Sequence, residues 1–232
     1  MKISLEWLSD YVKIDKTGEQ IAEILSDLGF PIESIETVEG DTVLDVEVTS
    51  NRGDCLSHIG IARELAGATG QKLKMPDVDF PVGDSETSDF VIVSIDNPQL
   101  CARYTARIIT DVKVGPSPQW MIKRLQAIGL RSVNNVVDAT NYAMMETGQP
   151  SHAFDCDKLT GKKIIVRNGR QGENIVSIDG TRCALDENML VIADAEVPVA
   201  IAGVMGGLDT EISDSSGSVL LEAAHFDPVS VR

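Results

Sequence analysis

The stretch KKIIVRNGRQGENIVSIDGTRCALDENMLVIA, Lys162 to Ala193, holds three short β-rich runs: Ile164-Ile165-Val166, Ile175-Val176-Ser177-Ile178 and Leu190-Val191-Ile192. Gly, Asp and Asn punctuate them, and Asp179-Gly180 is a turn signal between strands. A fourth run follows at Val219-Leu220-Leu221. Helical patterns come before them. Ser117-Pro118 places a cap and an N-terminal proline ahead of WMIKRLQAIGL, which Gly129 ends. A second helix is predicted over Asn135 to Thr147, stopped by Gly148 and Pro150. Helices followed by a run of strands predict an α+β fold with a mainly antiparallel sheet, and not a doubly wound nucleotide fold.

Towards the N-terminus the pattern is that of a small α+β unit. Thr17-Gly18-Glu19-Gln20 fits a capping box before Ile21, Ile24, Leu25 and Leu28, with Gly29 as the stop. In DTVLDVEVTS, Leu44, Val46 and Val48 alternate with Asp45 and Glu47, the period of a strand with one wet face. Asn51 to Asp54 then turns into a helix through LSHIGIARELAGATG. The run Met75 to Phe90 is rich in Asp, Ser and Pro and has no regular period, so it marks a boundary. The organisation expected is an N-terminal α+β module over 1–85 and a mixed α/β module with a mainly antiparallel sheet over 86–232.

The chain has 232 residues, of which 36 are acidic and 20 basic, for a net charge of −16. Residues 1–90 hold 19 acids and 7 bases, so the excess is concentrated there. An acidic chain argues against non-specific binding to duplex nucleic acid, which needs clustered Lys and Arg. No apolar run approaches the roughly 18 to 20 residues that cross a bilayer, and the opening MKISLEWLSDYVKID does not read as a secretory signal. The cytoplasm is the compartment expected. Cys55, Cys101, Cys156 and Cys183 are too scattered for a zinc site or a disulfide frame and are expected to be free thiols. His58 reads as a partly buried helix-face imidazole, and Arg52-Gly53-Asp54 as a chance tripeptide.

Three places depart from simple packing: Arg131 to Asn141, Gln149 to Asp155, and Glu222 within VLLEAAHF. A carboxylate facing a core costs several kcal/mol unless it is paired. Pattern alone therefore favours the wet side of an edge strand for Glu222, the alternative being a pocket carboxylate that accepts a ligand hydroxyl. His152, in a loop past a helix stop, reads by spacing as a surface or capping residue, although such loops also carry function. AIAGVMGG, Ala200 to Gly207, is either a tight turn needing positive φ or a place where backbone N–H groups meet a ligand. It lacks the lysine of a phosphate-binding loop.

MKISLEWLSDYV, VTSNRGDCLSHIGIARELA, RSVNNVVDATNYAMMETGQPSHAFDCDKL, AIAGVMGG and VLLEAAHFDPVSVR together resemble the bacterial phenylalanyl-tRNA synthetase β subunit, in order and over nearly the whole chain. The resemblance implies that 1–85 is that subunit's N-terminal module and 86–232 its editing module, which hydrolyses tyrosine mischarged on tRNA(Phe). It implies that Glu222 accepts the phenol O–H, with His152 and Asn141 nearby, and that Thr140 and Arg131 are further pocket positions. Ala202 and Gly203 would form the close wall, and Pro150 would shape the loop presenting His152. Catalysis is expected from His152 orienting a water and from backbone N–H groups near Gly203.

The oligonucleotide-binding insert typical of the family is missing, and the sequence reads as a fragment of a longer subunit. The implied partners are the α subunit, as two α and two β in the complete enzyme, the acceptor end of tRNA(Phe), and tyrosine as editing ligand. ATP and Mg2+ serve the complete enzyme, and no cofactor or metal is expected on this portion. An inactive scaffold for assembly is the competing expectation.

Overall fold

The computed structural model describes residues 1–232. The chain begins with β1 (Lys2–Ser4), α1 (Leu5–Leu8), α2 (Gly18–Asp27), β2 (Ile32–Val38), β3 (Asp41–Val46) and α3 (His58–Thr69). It continues through α4 (Thr87–Phe90), β4 (Ile92–Ile95), β5 (Cys101–Ile109), α5 (Gln119–Ala127), α6 (Asn135–Thr147) and β6 (His152–Asp155). The last part holds β7 (Lys163–Asn168), β8 (Asn174–Val176), β9 (Arg182–Ala184), β10 (Leu190–Ala193), β11 (Pro198–Ile201), β12 (Met205–Gly206), β13 (Val219–Phe226) and α7 (Pro228–Val231). No helix is long and apolar enough to cross a membrane. The fold is α+β, as the order of sequence patterns predicts.

Two compact units form: Met1–Pro81 with Pro116–Pro150, and Val82–Gly115 with Ser151–Arg232. The first crossing lies close to the expected boundary at 85/86. The segment 116–150, assigned from sequence to the second module, belongs to the first unit. The reason is apolar and aromatic packing that no local pattern reveals. In the first unit the Trp7 ring stacks between His58 and Tyr142, with centroids 4.0 and 4.2 Å away, and Trp120 meets Tyr142 edge-on. The Tyr11 hydroxyl accepts from the Trp7 indole and donates to Glu146. Helices α5 and α6 are tied to the N-terminal residues by these contacts.

The N-terminal sheet has the order β1-β3-β2, all antiparallel. Ile3, Trp7, Leu8, Leu25, Phe30, Leu44, Ile61 and Leu65 make its core. The capping box forms as predicted, with Thr17 accepting from the Gln20 backbone and the Gln20 side chain accepting from the Thr17 backbone. His58 is fully buried, its Nδ1 2.9 Å from the Met145 carbonyl and its Nε2 accepting from the Ser4 N–H. Burial lowers its pKa to about 4, so it is a neutral structural imidazole.

Ser117 does not cap α5. Pro118 is the N-cap residue, and the Ser117 hydroxyl donates instead to buried Asp138. Asp138 also accepts from the Ser132 hydroxyl at 2.6 Å and the Val133 N–H at 2.8 Å. Asn134 caps α6 through the N–H groups of Val136 and Val137, and Gly148 ends it in the left-handed conformation. The turn from Arg131 to Asn134 is thus fixed by satisfied polar groups.

The second unit holds a three-stranded sheet, β5-β13-β6, and a five-stranded sheet, β12-β11-β10-β7-β4. Only the β4–β7 pairing is parallel. Residues of both sheets share one apolar core, including Val91, Phe154, Ile164, Val166, Ile192, Val199 and Leu220. A small hairpin, β8–β9, turns at Asp179-Gly180 as the sequence predicts.

Candidate functional site

Strand β13 decides the site. It is eight residues long and lies in the middle of its sheet, pairing β5 on one side and β6 on the other. Alternation then sends Leu220 and Glu222 to the same face. Leu220 is wholly buried in the core, so that face is the inner one. Glu222 is therefore not on the wet side of an edge strand: it is 7% exposed. Its position could not be read locally, because the second neighbour that buries it, β5, is more than a hundred residues earlier in the chain.

Burial pushes the Glu222 carboxyl up to about 7, and the Tyr104 hydroxyl, donating to Oε2 at 3.2 Å, opposes that rise. Tyr104 lies on β5 opposite Ala224, one alternation step from the Ala106–Glu222 pair, which is within reach for a long side chain. Its own pKa is driven well above the ordinary phenol range, by burial first and then by the Glu222 charge. Sequence reading missed Tyr104. The signal was present in CARYTARII, where Tyr104, Ala106 and Ile108 alternate with the exposed Arg103, Thr105 and Arg107.

His152 pairs directly with Glu222 across β6 and β13. It opens a strand, where the spacing suggested a surface or capping residue. Its ring meets Phe154 edge-on at 4.4 Å, and its Nε2 is buried without a hydrogen-bond partner. Burial lowers its pKa to about 4, leaving it neutral near pH 7. Gly206 makes room for the ring: a Cβ there would stand 2.3 Å from Cε1 and 2.6 Å from Nε2.

Ala202 and Gly203 form the turn between β11 and β12, with the Val204 N–H donating to the Ile201 carbonyl. Gly203 has φ +71°, and a side chain there would meet Val231 at 2.9 Å and Phe226 at 3.1 Å. Glycine is thus required by both conformation and space. Ala202 is buried, and its N–H donates to Leu190. This unit therefore brings His152 and Glu222 side by side, with Gly206 against the imidazole and the Gly203 turn against Phe226 of the same β13.

The other candidates belong to the first unit. Arg131 is exposed in the turn before α6. Thr140 and Asn141 are half-buried on α6, and the Thr140 hydroxyl donates to the Val137 carbonyl at 2.7 Å. Pro150 is exposed, its carbonyl accepting from the Gln149 side chain.

Asp54, Cys55 and Glu64 place ligand atoms within 4.8 Å of one another. The Arg52 guanidinium already binds all three, with its NH2 2.9 Å from Asp54, 3.0 Å from Cys55 and 2.8 Å from Glu64. A resident cation fills that cluster, and it also ties down the Arg-Gly-Asp tripeptide. The four cysteines are free, Cys55 and Cys101 buried and the other two partly so.

A two-sheet α+β unit that sets one buried carboxylate beside one neutral imidazole is the architecture of a known class: the chain belongs to the B3/4 domain family, whose model matches residues 100–232. At the level of particular relatives, the chain is similar to phenylalanine–tRNA ligase β subunits throughout its length. It is 48% identical to that of Rhodopirellula baltica over 232 residues, all of this chain and 34% of the relative. It is 49% identical to that of Carboxydothermus hydrogenoformans over 205 residues, 88% of this chain and 25% of the relative. The chain thus spans about a third or less of these relatives. Its fold matches the crystal structure of an N-terminal fragment of the phenylalanyl-tRNA synthetase β subunit from Pyrococcus horikoshii. The TM-score is 0.53 at 12% identity, covering 100% of this chain and 69% of the other. The resemblance read from the sequence is upheld.

Proposed function

We propose that the chain is part of a phenylalanyl-tRNA synthetase β subunit and carries the site that hydrolyses tyrosine mischarged on tRNA(Phe). The observation that supports this most is the buried Glu222 carboxylate beside a neutral, unpartnered His152. Phenylalanine and tyrosine differ by one hydroxyl, and a pocket that prefers the hydroxylated ring must supply a partner for it. A site built to hydrogen-bond a hydroxyl strongly rejects the analogue lacking it, because its own buried polar group is then left unpaired. The Glu222 oxygen not held by Tyr104 is the acceptor for that phenol.

Hydrolysis proceeds by water attack on the ester carbonyl carbon. The tetrahedral intermediate collapses with expulsion of the ribose oxygen of the terminal adenosine, which takes up the proton that the water gives off. His152, neutral at working pH, orients the water, the role the resemblance implies for it. Backbone N–H groups near Gly203 stabilise the developing oxyanion. The pocket roles of Arg131, Thr140, Asn141, Pro150 and Ala202 are proposed on the resemblance alone. So are the α subunit and tRNA(Phe) as partners, ATP and Mg2+ in the complete enzyme, and a cytoplasmic location.

The test is release of tyrosine from Tyr-tRNA(Phe) by this chain, beside the same chain carrying His152→Ala and Glu222→Ala together. Release that the double change abolishes supports the reading. Release that survives it places the activity elsewhere and refutes it.

A further inference from the structure

We propose that Tyr104 is a specificity-determining positioning residue: its hydroxyl holds Glu222 Oε2, so that Oε1 alone is turned to the ligand as an acceptor for an aromatic hydroxyl. This rests on the editing reading of the site and names the device that sets its selectivity.

The geometry carries it. Glu222 accepts one hydrogen bond, from Tyr104 at 3.2 Å. The Tyr104 ring packs against the core formed by Phe154, Leu220 and their neighbours, which leaves its hydroxyl little freedom to turn elsewhere. A carboxyl group in so apolar a place could otherwise rotate or take up a proton, and a protonated carboxyl can donate to either a hydroxyl or a water. A fixed donor on one oxygen stops the carboxyl from turning and opposes its protonation, so that wherever the group is ionised the other oxygen is kept as an acceptor. Tyr104 is itself a phenol, so the pocket already contains the hydrogen bond that it would make to its ligand. The second oxygen repeats it.

The groups facing Glu222 are few: Tyr104 and the Cys101 thiol from β5, and neutral His152 from β6. No cation pairs with Glu222. Loss of the Tyr104 hydroxyl therefore raises the Glu222 pKa with nothing to offset the change, and the acceptor form appears only at higher pH. A residue that merely fills space would leave that pH dependence where it is.

The experiment measures binding of free L-tyrosine and L-phenylalanine to the 232-residue chain by calorimetry between about pH 6 and pH 9, for the parent, Tyr104→Phe, Glu222→Gln and the pair combined. The ring is retained in Tyr104→Phe, and near-UV circular dichroism checks that the core is intact. Near pH 6.5 we expect the preference for tyrosine to fall about tenfold in Tyr104→Phe and to recover towards pH 9. In the Glu222→Gln background the same change should do nothing further. An unaltered preference and pH profile in Tyr104→Phe, or an equal loss in the Glu222→Gln background, overturns the assignment and leaves the editing reading standing. A parent chain that binds both amino acids alike overturns the reading of the pocket itself, and this inference with it.

Discussion

Glu222 is held at the expense of stability. Its carboxyl is raised from an ordinary value of 4.5 to about 7 because burial disfavours the charge. The folded state binds this proton more tightly than the unfolded chain, so the stability it contributes is complete below about pH 4.5 and is lost as pH rises through about 7. Glu222→Gln should therefore gain on the parent by about 1–3 kcal/mol between pH 5 and pH 8, measured by urea unfolding. His58 and His152 act in the opposite sense. Both are lowered to about 4 by burial, so each withdraws stability as pH falls from about 6.5 through about 4. Next to them, Gly206→Ala should push the imidazole from its place, since the new Cβ would overlap Cε1 at 2.3 Å. Deacylation of Tyr-tRNA(Phe) is expected to drop at least about tenfold while the far-UV circular dichroism stays unchanged. The sequence marked Glu222 as the residue that interrupts an apolar run, and marked His152 by its loop. It could not say that either faces inward, because that depends on β5 and β6 pairing with β13 from distant parts of the chain.

Caps and turns were the most legible elements, because their chemistry is local. Thr17 with Gln20, Gly148 after α6 and the Asp179-Gly180 hairpin are where the pattern placed them. Ser117 was misread for an instructive reason: a cap in sequence is only one use for a hydroxyl, and here a buried carboxylate, Asp138, uses it instead. Asp138 gathers three donors at the start of α6. Asp138→Ala should cost about 2–4 kcal/mol in chemical denaturation, since two hydroxyls and one N–H lose their acceptor. Asn134→Ala, which removes only the cap, should cost about 1 kcal/mol. A reversal of that order would mean the turn is held by the cap and not by the carboxylate.

For the molecule as a whole, the α+β class and the antiparallel sheets followed from the order of helical and strand-like runs. The unit boundaries did not, because 116–150 joins the N-terminal residues through Trp7, Tyr142, Tyr11 and Glu146, contacts between segments far apart in sequence. A piece ending at residue 85 would leave the Trp7 ring without Tyr142. It should melt at a lower temperature than residues 1–81 joined to 116–150, a difference that thermal circular dichroism would read. Selectivity of the site depends on whether the buried Glu222 carboxylate reads the ligand hydroxyl. The most direct measurement is the ratio of kcat/KM for hydrolysis of Tyr-tRNA(Phe) over Phe-tRNA(Phe), in the parent and in Glu222→Ala. We predict a ratio well above one in the parent that collapses towards one in the variant; a ratio that Glu222→Ala leaves unchanged would contradict the account.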